Sequence, residues 1–174
     1  TCALPISIVS SQKPSCDETI AQAAEIASTL DQPHAAAMVE LAKGVQAFHL
    51  GHWRQANERC VAARAIFREQ CVGTVWEVDT ADCFRLWALT QFGDYTSLKR
   101  LSVQLLDDAR QRGNLHAIMN IQTLGAPLAR LADDDPRAAR GICDEALSHS
   151  SLRDFHVQHV AALIAKTLID LYDG

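Results

Sequence analysis

No stretch of this sequence approaches the ~20 apolar residues that a helix needs to cross a bilayer, so no membrane role is expected. A basic excess is missing too. Lys and Arg total 16 against 21 Asp and Glu, a net charge of −5, with both signs scattered along the chain. Neutralising phosphates takes a patch of Lys and Arg, so nucleic acid is not an expected ligand. None of the six cysteines forms a CxxC pair, which removes the commonest zinc and redox signatures. Alternating β-type patterning is nearly absent beyond Leu4, Ile6 and Ile8. No GxxxxGK[ST], GxGxxG, HExxH or GxSxG occurs, and neither does a kinase HRD or DFG. Without a strand–loop–helix cradle or a ligand cluster, the expectation is no catalysis, no cofactor and no metal.

What is present is a globular composition. Of 174 residues, 48% are apolar and 21% charged, too apolar for a disordered chain. A fold of this length buries roughly 70% of the surface its unfolded chain exposes, so no covalent staple is required. Cys60, Cys71, Cys83 and Cys143 fall within apolar helical stripes, while Cys2 and Cys16 lie near the start. Free thiols in a reducing, cytoplasmic setting are expected, since no signal-peptide pattern opens the sequence. It begins at Thr1 rather than Met, and the expectation is a processed chain or a piece of a longer one.

Helical periodicity runs almost throughout. Trp53, Ala56, Cys60, Ala63, Phe67 and Cys71 recur at steps of three and four, as do Met38, Leu41, Val45 and Phe48. Val157, Val160, Ile164, Leu168 and Leu171 do the same at the end of the chain. Each set lies along one helix face and reads as core. The punctuation agrees. Ser15 and Glu18 have capping-box spacing, and Asp135 before Pro136 reads as an N-cap followed by a first-turn proline. Gly51, Gly73, Gly93 and Gly113 stand where helices should stop. Helices are therefore expected over 16–30, 34–50, 52–72, 75–92, 95–112, 114–131, 136–149 and 155–173. Pro127 should kink the sixth or shift its start.

Turns at 51, 93, 134 and 174 are spaced by 42, 41 and 40 residues, a near-constant two-helix period. Gly44, Gly51, Trp53, Ala56 and Ala63 fall at the spacings of the small and aromatic residues of a tetratricopeptide (TPR) unit, and Ala139, Ala146 and Leu147 repeat its second half. The expected fold is all-α, a right-handed TPR-like solenoid of about eight antiparallel helices over 16–174. Residues 1–15 read as a linker or the remnant of a preceding helix. The outer helices would then belong to incomplete pairs of a longer array.

Polar residues open alternate helices in this scheme. Trp76, Glu77, Asp79 and Asp82 begin the fourth, Asn114, His116 and Asn120 the sixth, and Phe155, His156, Gln158 and His159 the eighth. Stacked units would bring them to one edge, and Trp76, Asp79, Asn120, His156 and His159 are taken as a partner-binding groove for a protein or peptide. Capping and dipole complementation account equally for several of these residues. His156 and His159 have a metal-like spacing, but no third ligand completes a site. As groove residues, Asn120 and His159 should tolerate Ala within about 0.5 kcal/mol, whereas Ala56→Leu at the crossing should cost about 1–3 kcal/mol.

Residues 51–56 (GHWRQA), 67–81 (FREQCVGTVWEVDTA), 131–136 (LADDDP), 155–159 (FHVQH) and 169–172 (IDLY) resemble the helical-repeat region beyond the catalytic domain of large bacterial serine/threonine protein kinases of the planctomycete and myxobacterial type. The resemblance covers about residues 40–174. It implies a docking or regulatory module whose catalytic lobe lies elsewhere in the parent chain. A repeat behind an ATP-hydrolysing transcriptional regulator, sensing a ligand or peptide, is the alternative, and a structural spacer or self-association module is a third.

Overall fold

The structure, a computed structural model, describes residues 16–148 and 156–174. The expectations for Ser15 as a cap and for residues 1–15 as a linker, together with Phe155, lie outside the described residues. Nine α-helices are present among the described residues, with no strand: α1 (Cys16–Leu30), α2 (Pro33–His49), α3 (Trp53–Gln70), α4 (Val75–Gln91), α5 (Tyr95–Gln111), α6 (Leu115–Leu124), α7 (Ala126–Leu131), α8 (Pro136–Ser148) and α9 (Val157–Asp173). The fold class is all-α.

One local device ends four of these helices. A residue with positive φ is followed by one whose N–H bonds back five residues: His52 to the Ala47 carbonyl (2.8 Å), Asp94 to Leu89 (3.1 Å), Asn114 to Ala109 (2.9 Å) and Asp135 to Arg130 (3.1 Å). This is a Schellman end, and it satisfies carbonyls the helix leaves orphaned. Gly51 (φ +80°) and Gly93 (φ +76°) take the left-handed position without a Cβ penalty. The equivalent place at the end of α7 is held by Asp134 (φ +58°), at the cost an L-residue incurs there. The residue after the turn then starts the following helix. Asp94 accepts from the Ser97 N–H (3.0 Å), Asn114 from Ala117 (3.1 Å) and Asp135 from Ala138 (2.9 Å). Stop and start are thus packed into two residues, and the turns at 51, 93 and 134 keep the 42- and 41-residue period.

The helix expected over 114–131 is two helices. Pro127 has no N–H to donate to the Thr123 carbonyl, and the chain reorients at Gly125 (φ −132°, ψ −44°). The Thr123 hydroxyl bonds the Met119 carbonyl at 2.8 Å just before the break.

The chain divides into two compact units, residues 1–88 and 89–174. In the first, α2 and α3 form an antiparallel pair that crosses closely at Gly44. A Cβ there would lie 2.7 Å from Cys60 Sγ and 3.3 Å from the Ala56 carbonyl oxygen. The core gathers Leu41, Val45, Cys60, Ala63 and Phe67 with Val78 and Ala81 of α4. Fully burying a side chain such as Phe67 contributes about 1.5–3 kcal/mol. Phe48, Phe84 and Trp87 pack as an aromatic cluster, with ring centroids 5.1–5.9 Å apart. Helix α1 rests on α2 through Ile20, Ala27 and Val39, tied by a hydrogen bond from Gln46 to Asp17 (2.7 Å).

In the second unit, α6 and α7 pack against α5, α8 and α9. Leu131, Ala139, Cys143, Ala165 and Ile169 make its apolar cluster, and ion pairs Arg140–Asp170 and Lys166–Asp144 join α8 to α9. One stripe expected in the core is outside it. Val157, Val160, Ile164, Leu168 and Leu171 are exposed, and the inward face is Gln158, Ala162, Ala165 and Ile169. The alanines let α9 approach α8 closely, and that rotation also carries Gln158, Lys166 and Asp170 to their partners.

Candidate interaction surfaces

The five residues taken as one partner-binding groove have different local roles. Trp76 and Asp79 lie in the first turns of α4, in the first unit. Trp76 is exposed, and Asp79 is half-buried and partnered. Around them Glu77 pairs with His34 of α2 at 3.1 Å. Asp82 is buried and bridges Arg64 and Arg85, each at 2.8 Å.

Asn120, His156 and His159 all belong to the second unit, and for Asn120 the expected surface position is corrected. Asn120 is only 8% exposed. Its Oδ1 accepts from Gln158 Nε2 at 2.7 Å, and the same nitrogen stands 3.5 Å from His116 Nδ1. Asn120 and the start of α9 do meet, but as a buried polar joint between α6 and α9. A side chain enclosed between two helices is out of a partner's reach unless that joint opens. Its polarity suggested the surface, yet it follows Ala117 and precedes Ile121 and Leu124 on a helix enclosed from several sides.

His156 precedes the first turn of α9, and its backbone N–H donates to His159 Nδ1 at 3.0 Å. His159 performs the reciprocal half of a capping box, in the position Glu or Gln usually takes. An accepting Nδ1 leaves the ring proton on Nε2. The rings stand 5.9 Å apart and tilted by 32°. Among the described residues no group of three His, Cys, Asp or Glu is placed to hold a metal ion.

The thiols have the character of core residues. Cys60 and Cys143 are buried, whereas Cys16, Cys71 and Cys83 are half-buried rather than enclosed, and none of the five is in a disulfide. Cys71 follows the end of α3 instead of continuing its stripe. Burial pushes the Cys60 thiol up to about 12, with Arg85 opposing and Asp82 reinforcing the shift. Burial likewise raises Cys143 to about 11. Neither is a nucleophile at neutral pH.

A concave surface does exist, elsewhere. Between α1 and α2 runs a groove of about 390 Å³ lined by Ile20, Ala23, Ile26, Leu30, Met38 and Val39. It is open to solvent, because Ile26 is 60% and Leu30 49% exposed. Two unshielded aliphatic side chains beside a wall of alanine and valine form an apolar trough. Sequence reading missed it, although a signal was available. Helix α1 carries apolar residues at 20, 23, 24, 26, 27 and 30, more than one face can hide against a single neighbour. The stripe on α9 is the second large apolar surface left uncovered. Among the described residues, no helix is long and apolar enough to cross a membrane. Compared with protein-family models, curated proteins and solved structures, the chain finds no match.

Proposed function

We propose that this chain is a non-catalytic scaffold of TPR-like helical repeats that holds a protein or peptide, acting in a reducing cytoplasm as a regulatory region attached to a bacterial serine/threonine kinase. The observation that carries the binding part is the open apolar groove between α1 and α2. An amphipathic helix presents anchors at i, i+3, i+4 and i+7, and a trough of this composition takes such a row in preference to a charged segment. The kinase part rests on the resemblance of residues 40–174 alone. The close α2–α3 crossing and the turn spacing of 42 and 41 residues support the repeat reading. A ligand-sensing repeat behind an ATP-hydrolysing regulator is the competing assignment. Small-molecule sites usually enclose most of their ligand, and a groove with Ile26 and Leu30 this exposed favours the peptide.

Peptide display against the purified chain tests the binding claim. Selected sequences should share apolar residues at helical spacing, and should lose binding to Ile26→Asp and Leu30→Asp while circular dichroism stays unchanged. Peptides that ignore both substitutions, or a selection that enriches nothing, would remove the groove as a binding site. For the parent assignment the decisive observation is what precedes Thr1 in the gene. Kinase motifs there support the reading, and a nucleotide-binding regulator replaces it.

A further inference from the structure

We infer that the outer face of α9 is a self-association surface, on which a second copy of this chain packs its own α9 antiparallel. Val157, Val160, Ile164, Leu168 and Leu171 are all exposed, Ile164 by 58% and Leu171 by 77%, and Leu163 and Tyr172 flank the row, also exposed. Five branched aliphatic side chains in one row on a 17-residue helix form a continuous apolar ridge, of a kind that soluble monomers rarely leave bare.

The spacing of the ridge selects the occupant. Its members stand seven and four residues before Ile164, and four and seven after it. A two-fold axis through Ile164 therefore sets Val157 of one copy against Leu171 of the other, Val160 against Leu168, and Ile164 against itself. This is the self-complementarity an isologous dimer requires. A parallel arrangement would instead align like ends and leave the electrostatics below unrelieved.

Charge points the same way. The last turn of α9 contains no basic residue, and Asp170 and Asp173 sit there, at the end where the helix dipole is already negative. Asp170 is compensated by Arg140 of its own copy. Asp173 is the nearer of the two to the helix end. In the antiparallel dimer it faces the N-terminal end of the opposite α9, where the helix dipole is positive. The two dipoles then oppose each other favourably at both ends of the ridge. This face lies apart from the α1–α2 groove in sequence and in unit, so the inference stands or falls independently of the binding proposal.

Analytical ultracentrifugation of the full chain from about 1 to about 100 μM, a range that brackets ordinary dimer affinities, is the test. The expected result is a concentration-dependent species of twice the 19.0 kDa chain mass. Ile164→Asp, which sets two carboxylates against each other on the axis, should leave only monomer with an unchanged circular-dichroism spectrum. Under mild oxidation Ile164→Cys should link copies beyond the wild-type chain's own background, and Val157→Cys should not. A wild-type chain that stays monomeric throughout overturns the inference, as does an Ile164→Asp dimer. Efficient Val157→Cys self-linkage would overturn the antiparallel register.

Discussion

The α2–α3 pair and the α8–α9 pair are both antiparallel helices joined across small residues, yet they bury opposite kinds of stripe. In α2–α3 the glycine at position 44 brings the backbones close, and the large side chains of the periodic rows, Leu41, Val45 and Phe67, complete the core around it. In α8–α9 the contact is Ala139, Cys143, Ala165 and Ile169, while the branched row of α9 faces water. The difference teaches that helical spacing states which residues share a face, not which face is inward. That choice depends on what the neighbouring helix offers. The α8 neighbour offers Arg140 and Asp144, which reach Asp170 and Lys166 only in the observed rotation.

The largest expected effect is at the heart of the first pair. Phe67→Ala empties the fully buried centre of that core and should cost about 3–5 kcal/mol in urea unfolding. A loss near 1 kcal/mol would mean that the core is looser than its burial implies. Next comes a test of the rotation of α9. Ile169→Ala should cost about 2–5 kcal/mol, and Leu168→Ala, one residue away, should stay within about 0.5 kcal/mol under dilute, monomeric conditions. Equal losses would show that the outward stripe is in fact buried.

Gly44→Ala should lose about 1–3 kcal/mol through overpacking, less the roughly 1 kcal/mol by which alanine exceeds glycine in a helix. Adding Cys60→Ala should recover much of that loss, so the double-mutant cycle is non-additive. Simple additivity would deny the 2.7 Å approach. Asn120→Ala strands the Gln158 amide and should cost about 1–3 kcal/mol, well above the 0.5 kcal/mol its polarity alone suggested. Gln158→Leu added to Asn120→Leu should be milder than either change alone, since both polar groups then leave together.

The smallest effect is a pH dependence in the first unit. Burial alone would raise the Glu40 carboxyl, but hydrogen bonds from Lys43 and Arg59 outweigh it and hold the group below its ordinary range. A depressed folded pKa means stability that is present above the unfolded value of about 4.3 and is lost as pH falls through the folded one. With the pair partly solvent-screened, about 0.2–1 kcal/mol is involved. Glu40→Gln should remove that slope between neutral pH and pH 3, and an unchanged slope would assign it to other carboxylates.

Much of the local structure was legible without coordinates, because its causes are local. Glycine at 51, 93 and 113 ends helices through backbone sterics that no distant contact alters, and Asp135 before Pro136 opens one for the same kind of reason. Pro127 announced a break because a missing N–H is missing in any context. The candidate site was less legible. Asn120 and Gln158 are 38 residues apart in sequence, and nothing in either neighbourhood announces that each is the other's partner. Polarity alone places such residues at the surface, which is where Asn120 is not.

Sequence by itself therefore determined the all-α class, the turn positions, the 42- and 41-residue steps and the identity of each helix's two or three candidate faces, since all of these follow from backbone sterics and the 3.6-residue period. Tertiary structure alone decided which face of α9 is buried. The row at 157, 160, 164, 168 and 171 and the row at 158, 162, 165 and 169 are both helical stripes, one residue and about 100° apart. The first offers more apolar area, the second smaller side chains. The second turned inward because it sets alanine against α8 and brings Gln158, Lys166 and Asp170 within reach of their partners at once. Burying the larger row would have turned Gln158 away from Asn120 and left that buried amide without its partner, at a cost of about 1–3 kcal/mol.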